Sequence, residues 1–376
     1  MRFTPNPLRW GRIATSLLIC IVVFYTLEPR KRAWSCKTLA SCLGGRPHVY
    51  KHWNGDGAPV DFAIGQNEKT LHDGTVFYHR RIVGTSPETL ILVLGGKDER
   101  AWSKDDLSTR RSVYDFVDLL IGTGLDFSTV SLGILTSTQA GFDAAKKATA
   151  PLPFARIAIF YREAHGSATI EFEYEEDRHR ADGIQHRRRA AISRARNYLM
   201  SRSLQDEEHV LWVDADIVEF SEGIVQTMIG HAQQREDVGI ITARCSQATT
   251  NNYDKNAWAI NRHEPLLMGP VADDAQEDAV QRLVETRTYV DELIEGTKDN
   301  HIVSLDSVGG TILYMRASLI RNGVYFPTSN VVGTTWTHEG WIGIETEGIC
   351  YVARRAGGGG CFVLGGNHHV RHADQS

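Results

Sequence analysis

The chain has 376 residues, of which 42% are hydrophobic and 23% charged, enough to bury a large core in one domain or two smaller ones. A formal net charge of −5 argues against a protein that grips nucleic acid through its backbone, since such a protein carries a basic footprint. No nucleic-acid partner is expected, and the local basic clusters need local explanations.

The first predicted element is at the amino terminus. Residues Ile13 to Leu27 carry no charge, follow Arg2, Arg9 and Arg12, and precede the cluster Arg30, Lys31 and Arg32. The run is short against the ~20 residues of a typical spanning helix, which fits a cleavable signal peptide or an anchor in a thin membrane of the early secretory pathway. No Ala-x-Ala-like cleavage site follows Leu27 before the basic cluster, so a signal-anchor is favoured. Residues 1–12 are then a short cytoplasmic tail, 13–27 the transmembrane anchor, 28–87 a stem and N-terminal luminal region, and 88–376 the main luminal domain.

Six cysteines are present, with Cys20 inside the apolar run. The other five cannot all pair internally. Cys36 and Cys42 are close enough in sequence to close a small loop, while Cys245 reads as a buried thiol in a strand-like segment. No Asn-x-Ser/Thr acceptor occurs, so N-glycosylation lends no support to a luminal address.

Past the stem, strand-like and helix-like segments alternate, which predicts an α/β sheet. Thr89 to Leu94 reads as a strand ending in Gly95-Gly96, and Asp105 to Ile121 as a helix. Ser128 to Leu135 and Ala155 to Tyr161 are two further strands. The Gly95-Gly96 turn is not the Gly-x-Gly-x-x-Gly fingerprint, so a dehydrogenase-type dinucleotide site is not supported. Residues Lys51 to Pro87 give no clear element.

Asp182 to Arg202 is a good helix former with Asp182 available as an N-cap. Its arginines at 187, 188, 189, 194 and 196 cannot all face one way, so most meet water or the acidic run Glu171 to Asp177, leaving one or two to neutralise a diphosphate.

The apolar run Val210 to Val213 then ends in Asp214 and Asp216. Alternation along a strand would point both carboxylates to one side at the carboxyl end, where open α/β sheets place ligands. Two such carboxylates hold Mg²⁺ or Mn²⁺ by hard oxygen contacts and leave positions for a substrate diphosphate. A haloacid-dehalogenase-type phosphatase also sets Asp-x-Asp after a strand. No small-residue and Lys motifs follow here to support it.

Taken together, Arg187 to Leu199, Val210 to Glu219, Ser307-Val-Gly-Gly-Thr311 and Ile344-Glu-Thr-Glu-Gly348 resemble, in order and spacing, the fungal Golgi mannosyltransferases that build the outer-chain mannan of N-glycans. The resemblance covers roughly Leu90 to His372. It implies a nucleotide-diphosphosugar transferase fold of the GT-A type, with a Rossmann-like mixed sheet, making 88–376 a glycosyltransferase domain. It further implies GDP-mannose as donor, Mn²⁺ as cofactor, an α-1,6-linked product with retention, and a complex with related mannosyltransferase subunits at the Golgi membrane.

Carried over by position, Asp214 and Asp216 become metal ligands and Arg187 the diphosphate arginine. His372, in Asn367-His-His-Val-Arg-His372, completes the metal site, with His368 and His369 as neighbouring alternatives. Glu345 and Glu347 are placed to meet mannose or acceptor hydroxyls, a surface helix start being the other reading. Gly309 and Gly310 would bring backbone close to the sugar, or serve tight packing. Gly95 stands in a nucleotide-contacting region where the family has Thr-Pro. The stretch Thr328 to Gly343 is longer than its family counterpart, and acceptor choice lives in such loops.

Overall fold

The computed structural model describes residues 64–96, 100–103, 111–163, 182–247, 249–260 and 269–373, all within the unit Tyr50–Ser376. The anchor at 13–27, the Cys36/Cys42 pair, the acidic run 171–177 and the start of the Asp105 helix lie outside the described residues. Among those described, no helix is long and apolar enough to cross a membrane.

The core is a ten-stranded mixed sheet. In chain order its strands are β1 (Ile64–Thr70), β2 (Val76–Ile82), β3 (Thr89–Leu94), β4 (Val130–Thr136), β5 (Arg156–Tyr161), β6 (His209–Val213), β8 (Val238–Thr242), β12 (Ile302–Ser304), β13 (Ile312–Arg316) and β14 (Gly360–Leu364). In space they run β1-β2-β5-β4-β3-β6-β13-β8-β14-β12. The four central strands β5, β4, β3 and β6 are parallel, and β13 inserts antiparallel between β6 and β8. The buried residues of β3, β4, β6 and β8 form near-continuous apolar runs, as expected of strands covered on both faces.

The helices follow the same logic. α1 (Val113–Ile121) starts at a capping box in which Ser112 accepts from the chain ahead while Asp115 reaches back, and it buries Phe116, Val117 and Leu120. α2 (Gln139–Thr149) is capped by Thr138. α3 (Asp182–Ser203) covers β3 and β4, burying Leu199 and Met200. α4 is Ile224–Gln234, α5 Gln276–Glu285 and α6 Thr346–Ala353. Leu90, Leu92, Val210, Trp212, Leu313 and Met315 project from one sheet face to pack with residues of α3 and α6.

Where the sequence gives no clear element, the structure has a hairpin. β1 and β2 extend the sheet beside β5, so part of the region 28–87 belongs to the central sheet. β1 escapes pattern reading because it is a polar edge strand, Ile-Gly-Gln-Asn-Glu-Lys-Thr, with almost every residue exposed.

A second sheet positions the functional edge. β7 (Ile217–Phe220), β9 (Arg244–Ser246) and β15 (His369–His372) form a three-stranded sheet in the order β7-β15-β9. β7 continues the chain after β6, β9 after β8, and β15 after β14. The small sheet therefore grows out of the carboxyl edge of the large one. β10 (Trp258–Ile260) and β11 (Arg287–Tyr289) pair separately.

Cys350 in α6 and Cys361 in β14 form a disulfide, a pairing that the parity argument missed. Cys245 is a free, buried thiol, as its strand-like setting predicts.

Candidate functional site

β6 ends at Val213, one residue short of Asp214, and Asp214 to Asp216 form a turn closed by Ile217 N donating to Asp214 O at 3.2 Å. The two carboxylates are therefore set by a turn and not by strand alternation. They face different partners. Asp214 Oδ1 accepts from Arg196 Nη2 at 3.0 Å, and Asp216 Oδ2 lies 2.8 Å from His372 Nε2.

The approach of His372, 156 residues further on in sequence (372 minus 216), follows from the small sheet. β15 pairs antiparallel with β7, placing His372 opposite Ile217, and Ala373 N donates to Asp216 O at 2.9 Å. The imidazole is buried, with Nδ1 2.9 Å from Ala373 O and the ring 4.4 Å from that of Tyr253.

Arg196 is the arginine brought to the aspartates. It is buried against the rings of Trp212 and Phe326, its guanidinium carbon 5.5 and 5.2 Å from their centroids, where the electron-rich π faces attract a cation. Its Nη2 also donates to Gly310 O at 3.4 Å, and Nη1 lies 3.5 Å from Glu345 Oε1. Arg187 is exposed; nine residues from Arg196 at ~100° each, it faces the opposite side of α3. Arg188 is exposed too. Arg189 turns inward and donates to Glu347 Oε2 at 3.1 Å and Asn256 Oδ1 at 3.3 Å.

The two glutamates part company. Glu347 is buried between Arg189 and Arg287, the latter donating at 2.8 Å, so its charge is spoken for. Glu345 is also buried but faces Arg196, and its backbone has φ 62, alone among the described non-glycine residues in a positive-φ conformation. Such a conformation costs on the order of 1–3 kcal/mol and concentrates at functional sites. Glu345 N donates to Pro327 O at 2.9 Å, closing the base of the long loop 328–344 beside the site.

Gly309 and Gly310 serve close packing. A Cβ on Gly309 would stand 2.0 Å from Asp254 Oδ2, and one on Gly310 would stand 2.7 Å from Arg196 Nη2. Gly348 is similarly required, since a Cβ there would stand 1.9 Å from Gly343 O. Gly95 lies at the same carboxyl edge, its N–H donating to Leu135 O at 2.8 Å, and a Cβ there would be 3.0 Å from Trp102.

Asp254 was missed by sequence reading, a lone acid in a loop. Its Oδ2 accepts from the N–H groups of Gly310 at 2.9 Å and Thr311 at 3.4 Å. Asp214, Asp216, Asp254 and Glu345 thus surround one buried guanidinium and one imidazole. Although 37% of the Asp214 side chain is exposed, loss of solvation at its carboxyl pushes it up to about 7, with Arg196 opposing and repulsion from Asp216, Glu345 and Asp254 adding. Burial likewise raises Glu345 above the ordinary carboxylate range against the pull of Arg196 and Arg189.

That surplus of negative charge fits a divalent cation, and two carboxylates with an imidazole suit Mn²⁺. The 2.8 Å between Asp216 Oδ2 and His372 Nε2 is close to the ~3 Å that separates adjacent ligands of an octahedral ion with bonds of about 2.1 Å. As the side chains stand, no three His, Cys, Asp or Glu side chains among the described residues form a metal-holding group, and Asp214 is paired with Arg196.

Fold and edge define a mixed α/β protein with an acidic, arginine-braced site at the carboxyl ends of its strands. Residues 108–330 match the Anp1 family, and the chain belongs to it. The resemblance to the fungal mannan-building proteins is thereby borne out. The chain is 29% identical over 249 residues to "Mannan polymerase complex subunit MNN9" of Candida albicans, covering 62% of this chain and 64% of that protein. It is 30% identical over 225 residues to the subunit of the same name from Schizosaccharomyces pombe, covering 58% and 61%. The "Mannan polymerase I complex VAN1 subunit" of Saccharomyces cerevisiae is 26% identical, with 58% and 38% covered. The chain thus spans less than two thirds of the length of these relatives. Among solved structures, glucosyl-3-phosphoglycerate synthase from Mycobacterium tuberculosis aligns over 77% of this chain and 72% of its own at 12% identity, with a TM-score of 0.34, too slight a likeness to argue from.

Proposed function

We propose that the chain is a metal-dependent glycosyltransferase of the GT-A type that transfers mannose from GDP-mannose to a mannose-containing N-glycan or mannan acceptor, forming an α-1,6 linkage with retention. The observation that carries this reading is the pairing of Asp216 with His372 beside Asp214, itself held by Arg196, at the carboxyl edge of the sheet. Membership of a family whose curated relatives are named as mannan polymerase subunits supports the substrate class.

Asp214, Asp216 and His372 would hold Mn²⁺ or Mg²⁺, which supplies charge neutralisation for a departing diphosphate. Arg196 holds one oxygen of Asp214 and leaves the carboxylate aimed from a fixed base. Arg187, the diphosphate arginine that the resemblance implies, is exposed on the side of α3 opposite Arg196, so Arg196 is the arginine that stands beside the proposed cation. Glu345, fixed by its strained backbone and by Arg196, is the carboxylate offered to the mannose or acceptor, while Glu347 fixes α6 through Arg189 and Arg287. Under retention the departing phosphate oxygen accepts the acceptor proton on the same face, so no further base is required.

We further propose a single-pass type II protein of the Golgi membrane, held by residues 13–27, with its body in the lumen and in complex with related subunits. A disulfide between Cys350 and Cys361 suits an oxidising compartment. A second reading, a weakly active or structural subunit, is favoured by the pairing of both aspartates with Arg196 and His372.

Incubation of the purified protein with Mn²⁺, a panel of nucleotide sugars and α-mannoside acceptors tests these readings. Transfer from GDP-mannose with an α-linked product is expected. Transfer from a different nucleotide sugar alone overturns the donor, and Mn²⁺ binding without any transfer supports the structural subunit.

A further inference from the structure

Residues 252–256, between β9 and β10, form neither helix nor strand, yet their side chains reach separate parts of the site. Asn252 is buried and donates to Asp291 Oδ1 at 2.8 Å, tying the segment to the body of the protein. Tyr253 is pinned by its N–H to Cys245 O at 2.8 Å and lays its ring against His372, tilted by 36°. Asp254 accepts from Gly310 N and Thr311 N on the other side. Asn256 accepts from Arg189 through its side chain and from Ser307 Oγ, at 2.7 Å, through its carbonyl.

The two carbonyls of the turn that Asp254 holds are themselves partners of the site. Gly310 O accepts from Arg196 Nη2, and Thr311 O accepts from Asp214 N at 3.0 Å. One short segment therefore touches the imidazole beside Asp216 and the backbone on which Asp214 and Arg196 rest. The contact is made close by design of the chain, since Gly309 has no side chain to intrude on Asp254.

Both oxygens of Asp254 are used, Oδ2 by the Gly310 and Thr311 N–H groups and Oδ1 by Asn256 N at 3.2 Å, and the carboxylate also adds a fourth negative group within range of Asp214 and Glu345. The ring of Tyr253 lies against an imidazole held at Nε2 by Asp216 and at Nδ1 by Ala373 O, and so adds a flat wall beside its plane.

We propose that Tyr253 and Asp254 are positioning residues for cation binding, Tyr253 by fixing the plane of His372 and Asp254 by fixing the Gly310–Thr311 turn and adding negative charge. The inference rests on the proposed function, in which Asp214, Asp216 and His372 hold the cation.

The test measures Mn²⁺ affinity of the full-length chain by the electron paramagnetic resonance signal of free Mn²⁺, without donor, alongside thermal melting. Tyr253→Leu is expected to weaken Mn²⁺ binding by about tenfold or more and Tyr253→Phe to restore it, the range typical of residues that orient a metal ligand. Asp254→Asn is expected to weaken binding while the melting temperature stays near that of the parent. Should Tyr253→Leu fail to fold, Tyr253→Met removes the ring at similar volume. Unchanged affinity in folded Tyr253→Leu or Tyr253→Met overturns the role of Tyr253, and unchanged affinity in Asp254→Asn overturns that of Asp254. If the parent chain binds no Mn²⁺, the proposed metal site fails, and the ring resonances of His372 in ¹³C-histidine spectra still judge the positioning. A resonance that Tyr253→Leu or Tyr253→Met leaves in place overturns it.

Discussion

Two buried arginines sit near opposite ends of the same strands, and they are treated in opposite ways. Arg156, at the start of β5, is fully enclosed with Glu207, which is also enclosed, and it donates as well to Ser203 O and Ser131 Oγ. Glu207 accepts in addition from Gln205 N at 2.7 Å. Arg196, at the carboxyl edge, is just as buried, but it faces Asp214, whose side chain is 37% exposed, and the strained Glu345, and its Nε and Nη1 have no hydrogen-bond partner. One pair is closed and balanced. The other has excess negative charge and opens to solvent, which is how a site differs from a scaffold.

The largest effect is expected where the closed pair is broken. Glu207→Gln leaves a buried guanidinium without its counter-charge and should lower stability by about 3–5 kcal/mol, read by denaturant unfolding, with transfer per folded molecule unchanged. At the open end, Arg196→Lys keeps charge but loses the fork. It should cost about 1.5–3 kcal/mol of transition-state stabilisation, roughly ten- to over a hundredfold in kcat/KM, with a smaller loss of melting temperature than Glu207→Gln. If the two variants behave alike, the contrast between the ends is wrong.

Smaller still is Glu345→Gly. Relief of the φ 62 backbone should offset lost contacts and leave stability within about 1 kcal/mol of the parent, while transfer falls sharply. Glu345→Gly that transfers normally would make the strain a packing accident.

The pH dependence should differ in sign. Burial pulls Glu207 up but Arg156, Ser131 and Gln205 hold it below its ordinary value, so its contribution to stability is present above the unfolded carboxylate pKa and is lost as pH falls through the lower folded one. Asp214 is raised to about 7, so the folded state binds the extra proton and stability declines as pH rises from about 4 toward 7 without a cation. Asp214→Asn should therefore gain stability relative to the parent over that window, and Glu207→Gln should lose its deficit only in acid. Melting curves of both variants against pH check the signs.

Much of this was legible in sequence, and the omissions have physical causes. The apolar strands β3 to β6 announce themselves because both faces are covered, and Asp214 is visible as the abrupt end of one. His372 was within reach through motif register, although nothing local predicts its pairing with Asp216, which depends on a sheet joining the ends of three separate core strands. Arg196 was hidden among five arginines. The available signal was the stripe Arg189, Ser193, Arg196, Met200 and Ser203, spaced by four, three, four and three, which marks the buried face of α3. Asp254 offered no signal, because its importance lies in backbone N–H groups more than fifty residues away. The β1–β2 hairpin was invisible because an exposed edge strand needs no apolar alternation. The Cys350–Cys361 bridge was missed because parity drew attention to the nearer pair.

The central claim is that the carboxyl edge, and Asp216 within it, binds the cation on which transfer depends. The direct measurement is transfer of radiolabelled mannose from GDP-mannose, with Mn²⁺, by Asp216→Asn beside the parent chain, each verified as folded by its melting curve. Loss of transfer together with loss of Mn²⁺ binding, at an unchanged melting temperature, is the predicted result. A folded Asp216→Asn protein that transfers mannose at the parent's rate would contradict the account.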